Sequence, residues 1–275
     1  MYTSFRSAEL LAEAIATCLL PIHAALLAGA LATTTAIFLS RHHLRRGVRA
    51  SARRVALTGT LVILCSAALF AAVAAALEDG SALLRFDHAL AIALRSTQSA
   101  DTLHGYARLT RFGDTETLTV LAVVGAMFLA WRRQHLLAAT WVVAIGGNSL
   151  LNVTLKSLFE RVRPLHDHGF AAESSWSFPS GHSSGTVAGW GVLAYVALRL
   201  LPARWHLPAL LCAVAIALST ALSRVVLQVH FASDVLAGLC SGTAWLTLCI
   251  ATSELLRRRS WPAQGPPGAH DFGRN

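Results

Sequence analysis

The chain has 275 residues, of which 55% are hydrophobic and only 13% charged, and its formal net charge is +9. Soluble domains carry about 25% charged residues, so this composition argues against a water-soluble globular protein. The positive charge does not mark a nucleic-acid binder, because the arginines crowd short loops between apolar runs, as they do in the cytoplasmic loops of membrane proteins.

About 20 apolar residues cross the hydrocarbon core of a bilayer. Seven such spans are expected, over 14–40, 55–77, 116–131, 136–155, 183–199, 205–223 and 235–253. Ahead of the first, Glu9 and Glu13 outnumber Arg6, which is not the basic start of a cleaved signal peptide. Pro21 interrupts the first span, which leads into a loop holding Arg41, Arg45, Arg46, Arg49, Arg53 and Arg54. Between 78 and 115, Leu83, Leu84, Phe86, Leu90, Leu94 and Leu103 recur at loosely helical spacing among charges. That pattern predicts one or two amphipathic helices lying on the outer face. Gly113-Asp114 marks the start of the third span, the shortest, with fifteen uncharged residues between Glu116 and Arg132.

Arg132/Arg133, Arg199/Arg204 and Arg257–Arg259 then occupy every second loop, whereas the alternate loops are mixed or acidic. This alternation predicts an outer N-terminus, inner arginine loops and an inner C-terminal tail. The tail, 260–275, is rich in Gly and Pro and is expected to be disordered. The five cysteines, at 18, 65, 212, 240 and 249, fall within spans at no metal-binding spacing and are read as apolar packing residues.

Three polar clusters fall on the outer side. In the fourth span Asn148, Asn152 and Lys156 are four apart and share one helical face. Polar groups at such depth are costly and usually face a cavity. Lys156 is the single lysine among 22 arginines. Arg163-Pro164 follows, two turns on or in the loop, although Lys156, Arg161 and Arg163 also suit interfacial anchoring. The second cluster, Pro179-Ser180-Gly181-His182, precedes an apolar run and reads as a helix N-terminus. Its free N–H groups and dipole favour an anion, with His182 beside it, though a simple capped helix gives the same pattern. The third runs from Ser223-Arg224 to His230 and Asp234. His and Asp four apart on a helix face each other, and the carboxylate would fix the imidazole tautomer. Arg224 adds a planar fork suited to phosphate oxygens, and a purely structural His–Asp pair is the alternative. Two histidines and a carboxylate could hold zinc, but the surrounding cations would repel a metal ion, so none is expected.

These segments resemble the signature of the type-2 phosphatidic acid phosphatase family, which shares its core with vanadium haloperoxidases. That signature reads Lys-x6-Arg-Pro, Pro-Ser-Gly-His and Ser-Arg-x5-His-x3-Asp, and the chain matches it from Lys156 to Asp234. The resemblance implies an all-α polytopic bundle: a six-helix core over 55–256, preceded by an extra N-terminal span and basic loop (1–54) and followed by a tail (257–275). It implies that Lys156, Arg163 and Arg224 bind the phosphate oxygens with Ser180 and the Gly181 N–H. His230 is then the nucleophile, Asp234 orients it, and His182 protonates the leaving oxygen and later activates water. No cofactor is expected. The implied substrate is a phospholipid or polyprenyl phosphate drawn from the membrane, with undecaprenyl pyrophosphate first on family grounds. Arginine-rich usage suggests a bacterial chain, with the site facing the periplasm or outside of the cytoplasmic membrane. A lipid phosphotransferase and a vanadate-dependent haloperoxidase are the rival enzymes. A non-catalytic lipid or anion transporter is the rival of another class, and it leaves His182, His230 and Asp234 without a task.

Arg161 and Glu173 are read as supporting or headgroup contacts, and His166 and His168 fit no motif position. Gly146-Gly147 is read as a close helix contact. Trp131, Trp141, Trp176, Trp190, Trp205 and Trp245 are read as interface or core residues.

Overall fold

The computed structural model describes residues 2–44, 52–78, 80–165, 169 and 174–259. Arg45, Arg46, Arg49, His166, His168, Glu173 and the tail from 260 onward lie outside the described residues. The described chain is all-α: α1 (Tyr2–Thr17), α2 (Leu19–Leu44), α3 (Ala52–Ala75), α4 (Ala82–Thr97), α5 (Ala100–Leu109), α6 (Thr115–Trp131), α7 (His135–Phe159), α8 (Gly181–Leu200), α9 (His206–Val226) and α10 (Ala232–Arg259). Two short 3₁₀ turns, Thr110–Gly113 and Ala203–Trp205, lead into α6 and α9.

Among the described residues, six segments are long and apolar enough to cross a membrane: Leu19–Ser40, Ala52–Ala75, Ala100–Trp131, His135–Phe159, Ala203–Val226 and Ala232–Arg258. Their outward faces leave Leu26, Leu61, Leu64, Val120, Val124 and Met127 exposed, which a bilayer covers at no cost. The protein is a multi-pass membrane protein. The expected span over 183–199 is α8, whose 20 residues measure about 30 Å at 1.5 Å per residue. Its first turns, Ser183 to Thr186, are polar or small, and α7, α9 and α10 enclose them. Protein rather than lipid therefore satisfies its polar groups.

The first expected span, 14–40, is two helices broken at Cys18, three residues before Pro21. Proline has no N–H to give to the Thr17 carbonyl, and the Thr17 hydroxyl turns back to the Glu13 carbonyl at 2.8 Å. The unforeseen α1 packs on α4, with Ala12, Ala16 and Leu19 in one core with Leu90 and Leu94. Beyond the break, α2 packs on α9, and the His23 ring sits between Tyr106 Oη (2.9 Å) and Ser219 Oγ (3.2 Å).

The predicted amphipathic segment is α4 and α5. Ser81 and Ser99 start these helices, their hydroxyls accepting the N–H groups of Leu84 and Thr102. Both bury one face, through Leu90, Leu94, Leu103 and Tyr106. Cys240 and Cys249 are buried as expected, but Cys18, Cys65 and Cys212 are exposed. A small apolar side chain suits a lipid-facing surface as well as a packed one.

Candidate active site

The C-terminal end of α7, the segment 174–180, the first turn of α8 and the connection from α9 to α10 meet at one end of the bundle. Asn148, Asn152 and Lys156 share a buried face of α7, as their spacing predicts. The helix stops at Phe159 because Glu160 adopts a left-handed conformation (φ 44°), its N–H still donating to the Lys156 carbonyl. The chain therefore turns, and Arg161 and Arg163 reach the site from the loop rather than from a longer helix.

Lys156 Nζ donates to Ser175 Oγ (2.9 Å) and to the Trp176 carbonyl (2.5 Å). Arg163 grips the same two residues, donating from Nε to the Ser175 carbonyl (2.6 Å) and from Nη2 to Ser175 Oγ (3.1 Å). Segment 175–176 thus holds two like charges side by side on shared acceptors, Ser175 Oγ and the Trp176 carbonyl.

Ser180 caps α8, its hydroxyl accepting from the Ser183 N–H (3.4 Å) and Ser183 Oγ (2.9 Å). Gly181 lies so close to α7 that a Cβ would stand 2.9 Å from Asn152 Oδ1. His182 follows, and its Nε2 meets Asp114 Oδ1 at 3.0 Å.

The third cluster departs from the expected single helix. α9 ends at Val226, Gln228 takes a left-handed turn (φ 51°), and His230 sits in the connection before α10. Asp234 lies in the first turn of α10 and accepts the Phe231 N–H at 2.8 Å. The carboxylate consequently anchors the helix start while its Oδ2 stands 3.6 Å from His230 Nδ1. Arg163 Nη1 donates to His230 Nε2 at 3.0 Å. A guanidinium can only donate, so Nε2 is the acceptor and the ring proton sits on Nδ1, toward Asp234. Burial pushes the His230 imidazole down to about 3, and the charges of Arg163 and Arg224 add to this against the pull of Asp234. His230 is therefore a neutral imidazole with its lone pair aimed at the cations.

A cavity of about 570 Å³ joins these groups. Lys156, Arg163, Gly181, His182 and His230 line one part of it, and Leu118, Ala122, Val123, Val142 and Ile145 continue it between α6 and α7. Ser180 is outside this lining, fully buried in its cap. Arg224 also stands behind the wall, buried, with Nη1 donating to Thr110 Oγ1 at 2.7 Å. Asp234 backs His230.

Several supporting residues carry no motif signal. Ser177 Oγ donates to Asp234 Oδ2 at 2.5 Å. Arg161 bonds Asp234 Oδ1, Asp87 Oδ2 and Ser233 Oγ, and its guanidinium lies 4.3 Å from the centre of the Phe231 ring. Asp87, 1% exposed on the packed face of α4, also accepts the Ser233 hydroxyl. Its signal is a charge placed at i−3 from Leu90 on the apolar side of α4.

The sequence model of the PAP2 superfamily matches residues 136–258. Phosphatidylglycerophosphatase B of Bacillus subtilis is 34% identical over 151 residues, which are 51% of this chain and 70% of that protein. Lipid A 1-phosphatase of Rhizobium johnstonii is 34% identical over 135 residues, 46% of this chain and 49% of that protein. The crystal structure of a transmembrane PAP2 type phosphatidylglycerolphosphate phosphatase from Bacillus subtilis matches with a TM-score of 0.65 at 29% identity. It covers 70% of this chain and 96% of that chain.

Proposed function

Since the chain belongs to the PAP2 superfamily and is a membrane lipid phosphatase, we propose that it cleaves a lipid phosphate through a phosphohistidine on His230. The observation that carries this reading is one continuous cavity with a charged part and an apolar part. Its cationic part, with Lys156, Arg163 and His230, suits a phosphate, and its apolar part between α6 and α7 suits the attached chain. A lipid can then keep its tails in the bilayer while its headgroup reaches His230.

Phosphate oxygens would displace Arg163 from His230 Nε2 and take over the donors that Arg163 and Lys156 now give to residues 175–176. Preorganised cations of this kind neutralise charge on the transferring group. His230 Nε2 then attacks phosphorus in line, Asp234 and Ser177 stabilise the ring as it gains positive charge, and His182 protonates the departing lipid oxygen. Arg224 acts through its field and through Thr110 rather than by lining the cavity. The positive-inside pattern supports a site on the outer side of a bacterial cytoplasmic membrane.

The coverage of a phosphatidylglycerophosphatase favours a glycerolipid phosphate over the undecaprenyl pyrophosphate ranked first from the family resemblance. The test is phosphate release by purified protein in detergent with excess EDTA, using phosphatidylglycerophosphate, phosphatidic acid and undecaprenyl pyrophosphate. Release by the wild type that His230→Ala abolishes supports the reading, and the rates order the substrates. Release by His230→Ala equal to wild type would sink it, and a phosphorylated acceptor in place of free phosphate would mark a phosphotransferase.

A further inference from the structure

Asp114 stands at the start of α6, where an aspartate ordinarily accepts N–H groups of its own helix. Here the carboxylate makes no such cap bond. It turns across to α8 and meets His182 Nε2 at 3.0 Å, joining residues 68 positions apart. The approach is enforced by Gly113, where a Cβ would stand 2.8 Å from Thr220 Cγ2 and 3.0 Å from His182 Cδ2. Arg111 and Arg224 are the other charges that act on this carboxylate. His182 and Thr115, the neighbour of Asp114, both line the cavity.

We propose that Asp114 is a positioning residue that orients His182 and stabilises its protonated form for the leaving lipid oxygen. The proposal rests on the phosphohistidine reading above. With Nε2–H held by Asp114, the proton to be transferred sits on Nδ1. In the first half-reaction the His230 Nε2 lone pair forms the P–N bond. The ester P–O bond breaks with its electron pair going to the lipid oxygen, which takes the Nδ1 proton and leaves His182 neutral. In the second half, Nδ1 takes a proton from water and the water oxygen bonds phosphorus. The P–N electron pair returns to His230, phosphate departs and His182 is again protonated.

An acid matters most when the leaving group is a poor one. The experiment compares wild type, Asp114→Asn and Asp114→Ala in single turnover on phosphatidic acid, whose leaving group is the diacylglycerol alkoxide, and on p-nitrophenyl phosphate, whose leaving group is a stabilised phenolate. General acid catalysis contributes roughly 10²–10⁴-fold, so formation of the phosphoenzyme from phosphatidic acid should fall about 10²-fold in Asp114→Asn. Formation from the nitrophenyl ester should stay within about threefold, which also shows that the variant is folded. An equal fall on both esters would assign Asp114 a merely structural role and overturn the proposal, as would no fall on either. Failure of the wild type to cleave either ester would instead remove the phosphatase reading, and this proposal with it.

Discussion

Arg161 Nη1 donates to Asp234 Oδ1 at 2.6 Å while its Nη2 donates to Asp87 Oδ2 at 2.9 Å. One guanidinium thereby ties the carboxylate behind His230 to α4. Both aspartate side chains are fully buried and that of Arg161 is 11% exposed. Removing the cation would strand two buried carboxylates, a class of change that costs about 3–5 kcal/mol. Arg161→Ala should lower the unfolding free energy by about that amount in detergent denaturation. Arg161→Lys, with charge but no fork, should lie between. An unchanged midpoint for Arg161→Ala would mean that the two carboxylates have other compensation.

Ser177 tests the orientation of Asp234 more gently. Its hydroxyl donates to Asp234 Oδ2, and hydrogen bonds to charged groups are worth about 1.5–3 kcal/mol. If that bond holds the carboxylate toward His230 Nδ1, Ser177→Ala should lower kcat roughly 10- to 100-fold with little change in KM. A raised KM at constant kcat would instead place Ser177 in substrate binding.

The buried state of His230 predicts a pH dependence of stability. Burial lowers its pKa from the ordinary 6.5 to about 3. Between those values the unfolded chain binds a proton that the folded chain refuses, so unfolding free energy rises with pH across that window. Stability is full above pH about 6.5 and declines as pH falls toward about 3. Thermal midpoints in detergent should therefore drop on acidification more steeply in wild type than in His230→Gln. Parallel curves would contradict a neutral buried imidazole.

The groove between α6 and α7 predicts a chain-length effect. Gly146 lines it ten residues before Lys156, about 15 Å along the helix, with open space where a Cβ would stand. Gly146→Leu should lower kcat/KM about tenfold on a long-chain phosphatidic acid and spare a dihexanoyl one. Equal loss on both would show that the tails lie elsewhere.

Much of this architecture is legible in the sequence because a bilayer leaves few options. Apolar run lengths gave the helices, and the four-residue spacing of Asn148, Asn152 and Lys156 gave the buried face of α7. The single apolar run over 14–40 hid the break at Cys18, because its cause is one missing N–H rather than a change in hydropathy. The geometry of His230 and Asp234 was half legible: they meet, but across a turn set by the left-handed Gln228, a conformation its residue type does not announce. Asp87, Asp114 and Ser177 escaped a site assignment, and Arg161 was read only as a supporting or headgroup contact, because their partners lie 53–146 positions away and spacing rules reach only a few residues. Ser180 and Arg224 show the converse, since membership in a motif did not tell which side of the cavity wall they occupy.

The most direct test of the central claim is to quench a single turnover of radiolabelled phosphatidic acid in alkali and map the labelled residue by mass spectrometry. The expected result is an acid-labile, alkali-stable phosphoryl group on His230, absent from His230→Ala. Label on any other residue, or turnover with no covalent phosphoryl protein at any time point, would contradict it.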